Sequence, residues 1–225
     1  MKKILPFVLI VLLFLTSCYS APAEYAPSTT TPFSESNTNV TIHDKTNQTN
    51  RNATTIEYPE FYIAKDKDQI INSLMKEQVT FWISKEFEQD SKIYLTGRIT
   101  LQDESIVSVL FEGDATNDCS VHPTKIAFSV CICLDTLSVI DPVSIVLPDD
   151  SFVTALRLQL SSQKTNPRYT PEQMSQIFNY INGHSTAELI SLISNSPLSL
   201  TEHGVIVCLN VPHSIGDYIK IEVRR

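Results

Sequence analysis

Three strand-like stretches follow one another in the middle of the chain: KIYLTGRITLQ at 92–102, SIVSVLFEG at 105–113 and KIAFSVCICLD at 125–135. Each is rich in β-branched and aromatic residues, only Asp103 and Glu104 separate the first two, and the third is an unbroken apolar run. Strands so closely linked pair antiparallel, which sets the centre of the fold. A helical signal with a capping residue precedes them: DKDQIINSLMKEQVTFWISKEFE at 66–88 places Ile70, Ile71, Leu74, Met75, Phe81 and Trp82 within one half of a helical wheel, with Asp66 as its cap. Ahead of it, IEYPEFYI at 56–63 alternates but holds Pro59, which suits an edge strand or an entry point.

After the strands the period changes. PDDSFVTALRLQL carries Phe152, Val153, Leu156 and Leu160 on one helical face, and Asp149 and Asp150 read as helix-start carboxylates rather than a catalytic acid/base pair. TPEQMSQIFNYING offers Thr170 as cap, Pro171 at the first position and Gly183 at the end; STAELISLI opens with a capping box from Ser185 to Glu188. The last stretch, PLSLTEHGVIVCLNVPHSIGDYIKIEVRR, returns to strands around turns at His203-Gly204 and Gly216-Asp217. Strands on either side of a helical middle define an α+β fold: a mostly antiparallel sheet with helices packed on one face, occupying 56–225.

The amino terminus gives an address. MKKILPFVLIVLLFLTSC has Lys2 and Lys3, then an apolar run from Ile4 to Leu15, too short for the ~20 residues of a membrane helix but suited to a signal-peptide core. Its end, LTSC, matches the bacterial lipoprotein processing signal, which makes 1–17 the signal peptide and Cys18 the residue that takes the lipid. Residues 18–55 read as a lipid-anchored, disordered tether, since 18 of the 37 residues at 19–55 are Ser, Thr or Asn and large apolar side chains are few. The expected place is the extracytoplasmic face of the cell membrane. The formal charge of −8 becomes −10 when Lys2 and Lys3 are removed with the signal peptide. So acidic a surface disfavours nucleic acid and steers basic partners inward.

Cysteine needs separate treatment. Cys119, His122, Cys131 and Cys133 match a zinc set in number, but Cys131 and Cys133 lie two apart on a strand and lack the knuckle spacing of structural zinc, so no metal is expected. A Cys119/His122 catalytic pair has no nucleophile motif behind it. Cys119, Cys131, Cys133 and Cys208 permit disulfides, with Cys131, Cys133 and Cys208 on second faces of strands; buried free thiols fit the pattern as well. No dinucleotide fingerprint, phosphate loop or hydrolase motif occurs, and five glycines leave little room for one, so no cofactor is expected. His184, His203 and His213 read as solvated loop residues.

The order of landmarks resembles a family. Tyr58-Pro59, Ile71-Asn72, VLFEG before a turn ended by His122-Pro123, LDTLSVIDPV, and LTEHGVIVCLNVPHSIGDYIKIEV resemble the extracytoplasmic domain shared by the RsiV anti-sigma factor and the PdaC deacetylase. The resemblance covers 56–223. It departs at TNDCSV before His122, where the family has a glycine-rich turn, and at Thr136-Leu137, where it tends to have Thr-Gly. What the resemblance implies is a non-catalytic binding or sensing module that recognises wall glycan or a basic wall-active protein of the lysozyme kind. Its contact loops would lie around His122, Pro123, His213 and Tyr218. The alternatives are a wall-polysaccharide hydrolase or deacetylase, and a structural lipoprotein. If Cys18 carries the anchor, Cys18→Ala leaves an unacylated precursor that keeps residues 1–17, detected by intact-mass measurement of the membrane fraction; normally processed protein from the variant would overturn the reading.

Overall fold

The computed structural model describes residues 41–44, 54–59, 61, 67–88, 91–117, 122–162 and 168–224. Six strands form one sheet in sequence order: β1 (Thr41–Asp44), β2 (Thr54–Pro59), β3 (Lys92–Gln102), β4 (Ile106–Thr116), β5 (Thr124–Cys133) and the two-residue β6 (Ser138–Val139). Three form a second: β7 (Leu198–Thr201), β8 (Gly204–Asn210) and β9 (Tyr218–Arg224). Every pairing is antiparallel except β2 with β3. The helices are α1 (Asp68–Glu86), α2 (Pro142–Val146), α3 (Asp150–Ser162), α4 (Pro171–Gly183) and α5 (Thr186–Ser194). This is the α+β fold expected, with one addition: the antiparallel strands divide into two sheets, and each carries its helices on a single face.

The layers follow from alternation. In β3, β4 and β5, Ile93, Leu95, Val107, Val109, Phe111, Ile126, Val130 and Ile132 share one face and form a core with Ile71, Met75 and Val79 of α1. Residues of the opposite face meet the second sheet, where Leu110 packs with Ile206 and Cys208. The far face of that sheet, Val205, Val207, Leu209, Ile219, Ile221 and Val223, is covered by Phe152, Val153, Leu156 and Leu160 of α3 together with Met174, Ile177, Ile181, Leu189 and Ile193 of α4 and α5. A bulge in β3 between Ile99 and Leu101 inserts one residue, so Ile99 packs toward α1 while Leu101 turns to the other core. Gly113 is where β3 comes closest: a Cβ there would stand 1.8 Å from the Tyr94 carbonyl oxygen.

Helix boundaries obey local chemistry. Thr170 with Gln173 and Ser185 with Glu188 each form a reciprocal capping box. Asp149 accepts the Phe152 N–H at 2.8 Å and the Ser151 hydroxyl at 2.7 Å, and these hydrogen bonds, Ser151's first, hold its carboxyl below the usual range. It is a helix-start residue. At α1 the expectations meet exceptions. Asp66 lies outside the described residues, and Lys67 occupies the cap with no side-chain hydrogen bond. Ile70 and Phe81 are 44% and 62% exposed, because the buried stripe runs through Ile71, Met75 and Val79, and 100° per residue carries Ile70 and Phe81 off it. Asn72 fixes the approach to the helix by pairing with both backbone groups of Phe61, at 3.0 and 3.3 Å.

The sheet also enters residues 18–55, read from composition as tether: β1 and the first two residues of β2 lie within it. Edge pairing needs only backbone donors and acceptors, which Thr-rich sequence supplies as well as any other. Pro59 ends β2, and β1 rather than β2 is the edge. Likewise β4 continues through Gly113 to Thr116, so the expected turn after VLFEG starts later.

Hydroxyls fasten the two sheets where they face each other. Ser108 and Ser199 are fully buried; their oxygens lie 3.1 Å apart, Thr100 Oγ1 is 2.7 Å from Ser199 Oγ, and Ser108 Oγ accepts the Leu200 N–H at 3.0 Å. Ser108→Ala orphans that N–H and is expected to cost about 1–3 kcal/mol in urea unfolding; a neutral outcome would contradict the cross-sheet bond.

Candidate functional site

At one end of the sandwich the head of β5 meets the β8–β9 connection. Asp217 stands there with φ of 68°, a left-handed conformation that Asp tolerates better than most residues. Its Oδ2 accepts the Lys125 backbone N–H at 2.7 Å, and its Oδ1 lies 2.7 Å from Nδ1 of His213, which sits in the 3-10 turn His213–Ile215. Lys125 in turn reaches Asp114 at 2.6 Å. One carboxylate therefore ties both sheets together at this end.

Beside it lies a second ionic group. Glu112 of β4 accepts Lys220 Nζ at 2.6 Å and the Tyr218 hydroxyl at 3.0 Å on Oε1; its Oε2 takes a short bond from Lys220 and the Arg98 Nε–H at 3.3 Å. The Lys220 side chain is 11% exposed and that of Glu112 25%. Burial alone would raise the Glu112 carboxyl, but the hydrogen bond and charge of Lys220, followed by Tyr218 and Arg98, bring it below its ordinary value. Lys220 is held below the usual lysine range because desolvation outweighs what Glu112 returns. Burial and then the Glu112 charge raise the Tyr218 phenol, which stays protonated and donates.

Tyr218 also faces an open groove of about 350 Å³, at the small end of the ~300–1,000 Å³ typical of ligand pockets. Trp82, Glu86 and Phe87, from the end of α1 and the residue after it, form one wall; Asn195, Pro197, Asn210 and Tyr218, from the second sheet and its approach, form the other; Lys125, Ile126 and Ala127 of β5 lie between. Trp82 is held by stacking on Phe128, centroids 4.7 Å apart, and by an edge contact with Phe87 at 5.3 Å.

Of the residues expected in contact loops, Tyr218 lines the groove and His213 is bound to Asp217, which also holds Lys125; exposed His122 and Pro123 precede β5 and are not among the residues that line the groove. His213 is thus engaged by a carboxylate. His184 is fixed too, its Nδ1 2.7 Å from the Tyr180 carbonyl oxygen and its ring against Tyr180. The cysteines do not join the site as a cluster. Cys131, Cys133 and Cys208 are free thiols, so no bridge links them; Cys119 and Cys18 lie outside the described residues. Seven strand steps, roughly 23 Å, carry β5 from Thr124 near His122 to Cys131, so the strand does not bring this histidine and this cysteine together. Burial pushes Cys131 and Cys208 up to about 12, as packed thiols rather than nucleophiles. Hydrogen bonds from the Thr136 hydroxyl and then the backbone of Thr136 and Asp135 lower Cys133. Among the described residues there is no group of three or more His, Cys, Asp or Glu placed to hold a metal ion, and no helix long and apolar enough to cross a membrane.

Sequence reasoning passed over Glu112, Lys220, Arg98 and Asp217. The one signal was a carboxylate sharing a face with Ser108 and Leu110 in a strand rich in apolar residues.

No protein-family model matches the chain, and no curated protein matches it. Among solved structures it is similar to a DUF3298 family protein from Pseudomonas aeruginosa PAO1, at 10% identity and a TM-score of 0.40 over 82% of this chain and 87% of that one. It is also similar to a DUF3298 family member from Bacteroides fragilis NCTC 9343, at 11% identity and a TM-score of 0.44 over 82% and 88%. Neither likeness assigns a function.

Glu112→Gln is expected to lower stability at pH 7 by roughly 1–3 kcal/mol, since it leaves the shielded Lys220 ammonium without its counter-charge. A carboxyl held below its ordinary 4.5 contributes fully above that value and loses the contribution as pH falls through the folded pKa. The gap between wild type and variant in denaturant midpoint should therefore close on acidification below about pH 4.5; a gap constant down to pH 2 would contradict the pairing.

Proposed function

We propose that this chain is a lipid-anchored lipoprotein of the bacterial envelope whose α+β domain binds, rather than converts, wall glycan or a basic wall-active protein, using the groove beside Tyr218. The observation that carries the reading is the groove itself. Aromatic Trp82 and Phe87 face the amides of Asn195 and Asn210 across a strand, with the phenol of Tyr218 fixed by Glu112. An aromatic wall with a few oriented polar groups is how small binding sites obtain both contact area and direction. Support for the envelope comes from the LTSC signal at Cys18 and from the resemblance to the RsiV and PdaC extracytoplasmic domain, one of whose recognisable segments, Gly216-Asp217, holds the groove residue Lys125 through Asp217. The acidic balance favours a basic partner and makes its association rate fall with added salt.

Asn210 is exposed on the groove wall, so Asn210→Trp fills the groove without disturbing the core. In surface-plasmon measurements against soluble wall fragments and a panel of basic wall-active proteins, the chain should bind a panel member, and Asn210→Trp should weaken that binding at least tenfold. Silence toward the whole panel together with glycan release from purified wall would replace the binding reading with the enzymatic one.

A further inference from the structure

We infer that the floor of the groove is a strand-addition site: β5 takes up an extended, basic peptide segment of a partner protein as one more strand of the larger sheet. The inference rests on the binding reading and specifies how the ligand is held.

Among the described residues, β5 pairs along its whole length with β4 but on its other side only with β6, through Ile132 and Cys133. Two further bonds show which residues point outward: the Lys125 N–H goes to Asp217, and the Cys131 carbonyl accepts from Ile140 at 2.9 Å. Antiparallel pairing alternates, so the odd residues face away from β4, and Ala127 and Ser129 present both N–H and C=O on that side. No other strand meets them there among the described residues. Both residues are half-buried, in positions where unmet backbone groups are costly. Between the engaged ends at Lys125 and Cys131 the open edge centres on Ala127 and Ser129 and runs roughly 14 Å, enough for about four residues of extended peptide.

The walls select the occupant. Trp82 and Phe87 stand on the side to which Ile126 and Phe128 point, while Asn210 and Tyr218 stand on the side of Lys125 and Ala127. Alternate side chains of an added strand would meet an aromatic surface on one face and a polar one on the other. An edge set between two walls admits a slim extended segment and excludes the equally walled β5 of a second copy. The chain's formal charge of −8 and the carboxylate of Glu86 in the groove lining favour a basic segment over an acidic one. Affinity then comes from main-chain hydrogen bonds and selectivity from alternate side chains.

The test uses the full chain and a library of blocked seven-residue peptides in which Lys or Thr alternates with Val, Phe or Tyr. Bound members should slow amide exchange at Ala127 and Ser129 at least tenfold. Methylation of the peptide nitrogens that face β5 should weaken binding at least tenfold, and so should Ala127→Pro, which removes an outward N–H and no bond to β4. Should that variant fail to fold, the methylated peptides alone decide. Binding that Asn210→Trp abolishes but that methylation changes less than twofold would overturn strand addition and leave the groove as a binding site. Failure of every library member to bind would overturn the inference, with the wall panel left to judge the broader reading.

Discussion

Strand β4 is covered on both faces, and most of the molecule follows from how that is achieved. Val107, Val109 and Phe111 meet α1, while Ser108 and Leu110 meet the second sheet and none of these five side chains keeps contact with water. Each buried large aliphatic or aromatic side chain contributes on the order of 1.5–3 kcal/mol, so a sheet apolar on two sides gains more from two covers than from one. The polar groups on the second face then need partners. Ser108 finds Leu200 and Ser199; Glu112, farther along the same face, finds Lys220, Tyr218 and Arg98. These bonds fix the register of one sheet over the other, which greasy packing alone leaves loose.

The groove is a by-product of the same arrangement. α1 stops at Glu86, the second sheet turns away at Asn210, and β5 continues between them as a floor with one open edge. Its geometry is held from beneath by the Trp82–Phe128 stack and from the side by Asp217, which clamps Lys125. Tyr218 belongs to both systems, since its ring lines the groove and its hydroxyl ends on Glu112. Site shape and sheet packing are therefore coupled through one carboxylate.

What was legible in the sequence was what short-range chemistry controls. The caps at Thr170 and Ser185, the carboxylate at Asp149 and the buried face of α3 stand where the pattern puts them, because each depends on residues within a turn or two. The division of the strands into two facing sheets was not legible, since alternation in β8 and β9 is the same whichever surface covers the second face. Ile70 and Phe81 misled because apolar residues on a half-wheel need not all reach a sheet that touches only a narrow stripe. The His122 and His213 loops were singled out from order alone, whereas the 92-residue separation of Lys125 and Asp217 hides their bond from any local pattern. Lys220 reads as a solvent-facing residue between Ile219 and Ile221 until the opposite sheet is in place.

The central claim, that a half-buried cross-sheet ion pair sets the relation of the two sheets and with it the groove, is tested most directly by a double-mutant cycle on Glu112→Gln and Lys220→Met in denaturant unfolding at pH 7. A pair this shielded should show a coupling of about 1–3 kcal/mol in favour of the wild-type pair. A coupling within about 0.3 kcal/mol of zero, the size expected of independent sites, would contradict it.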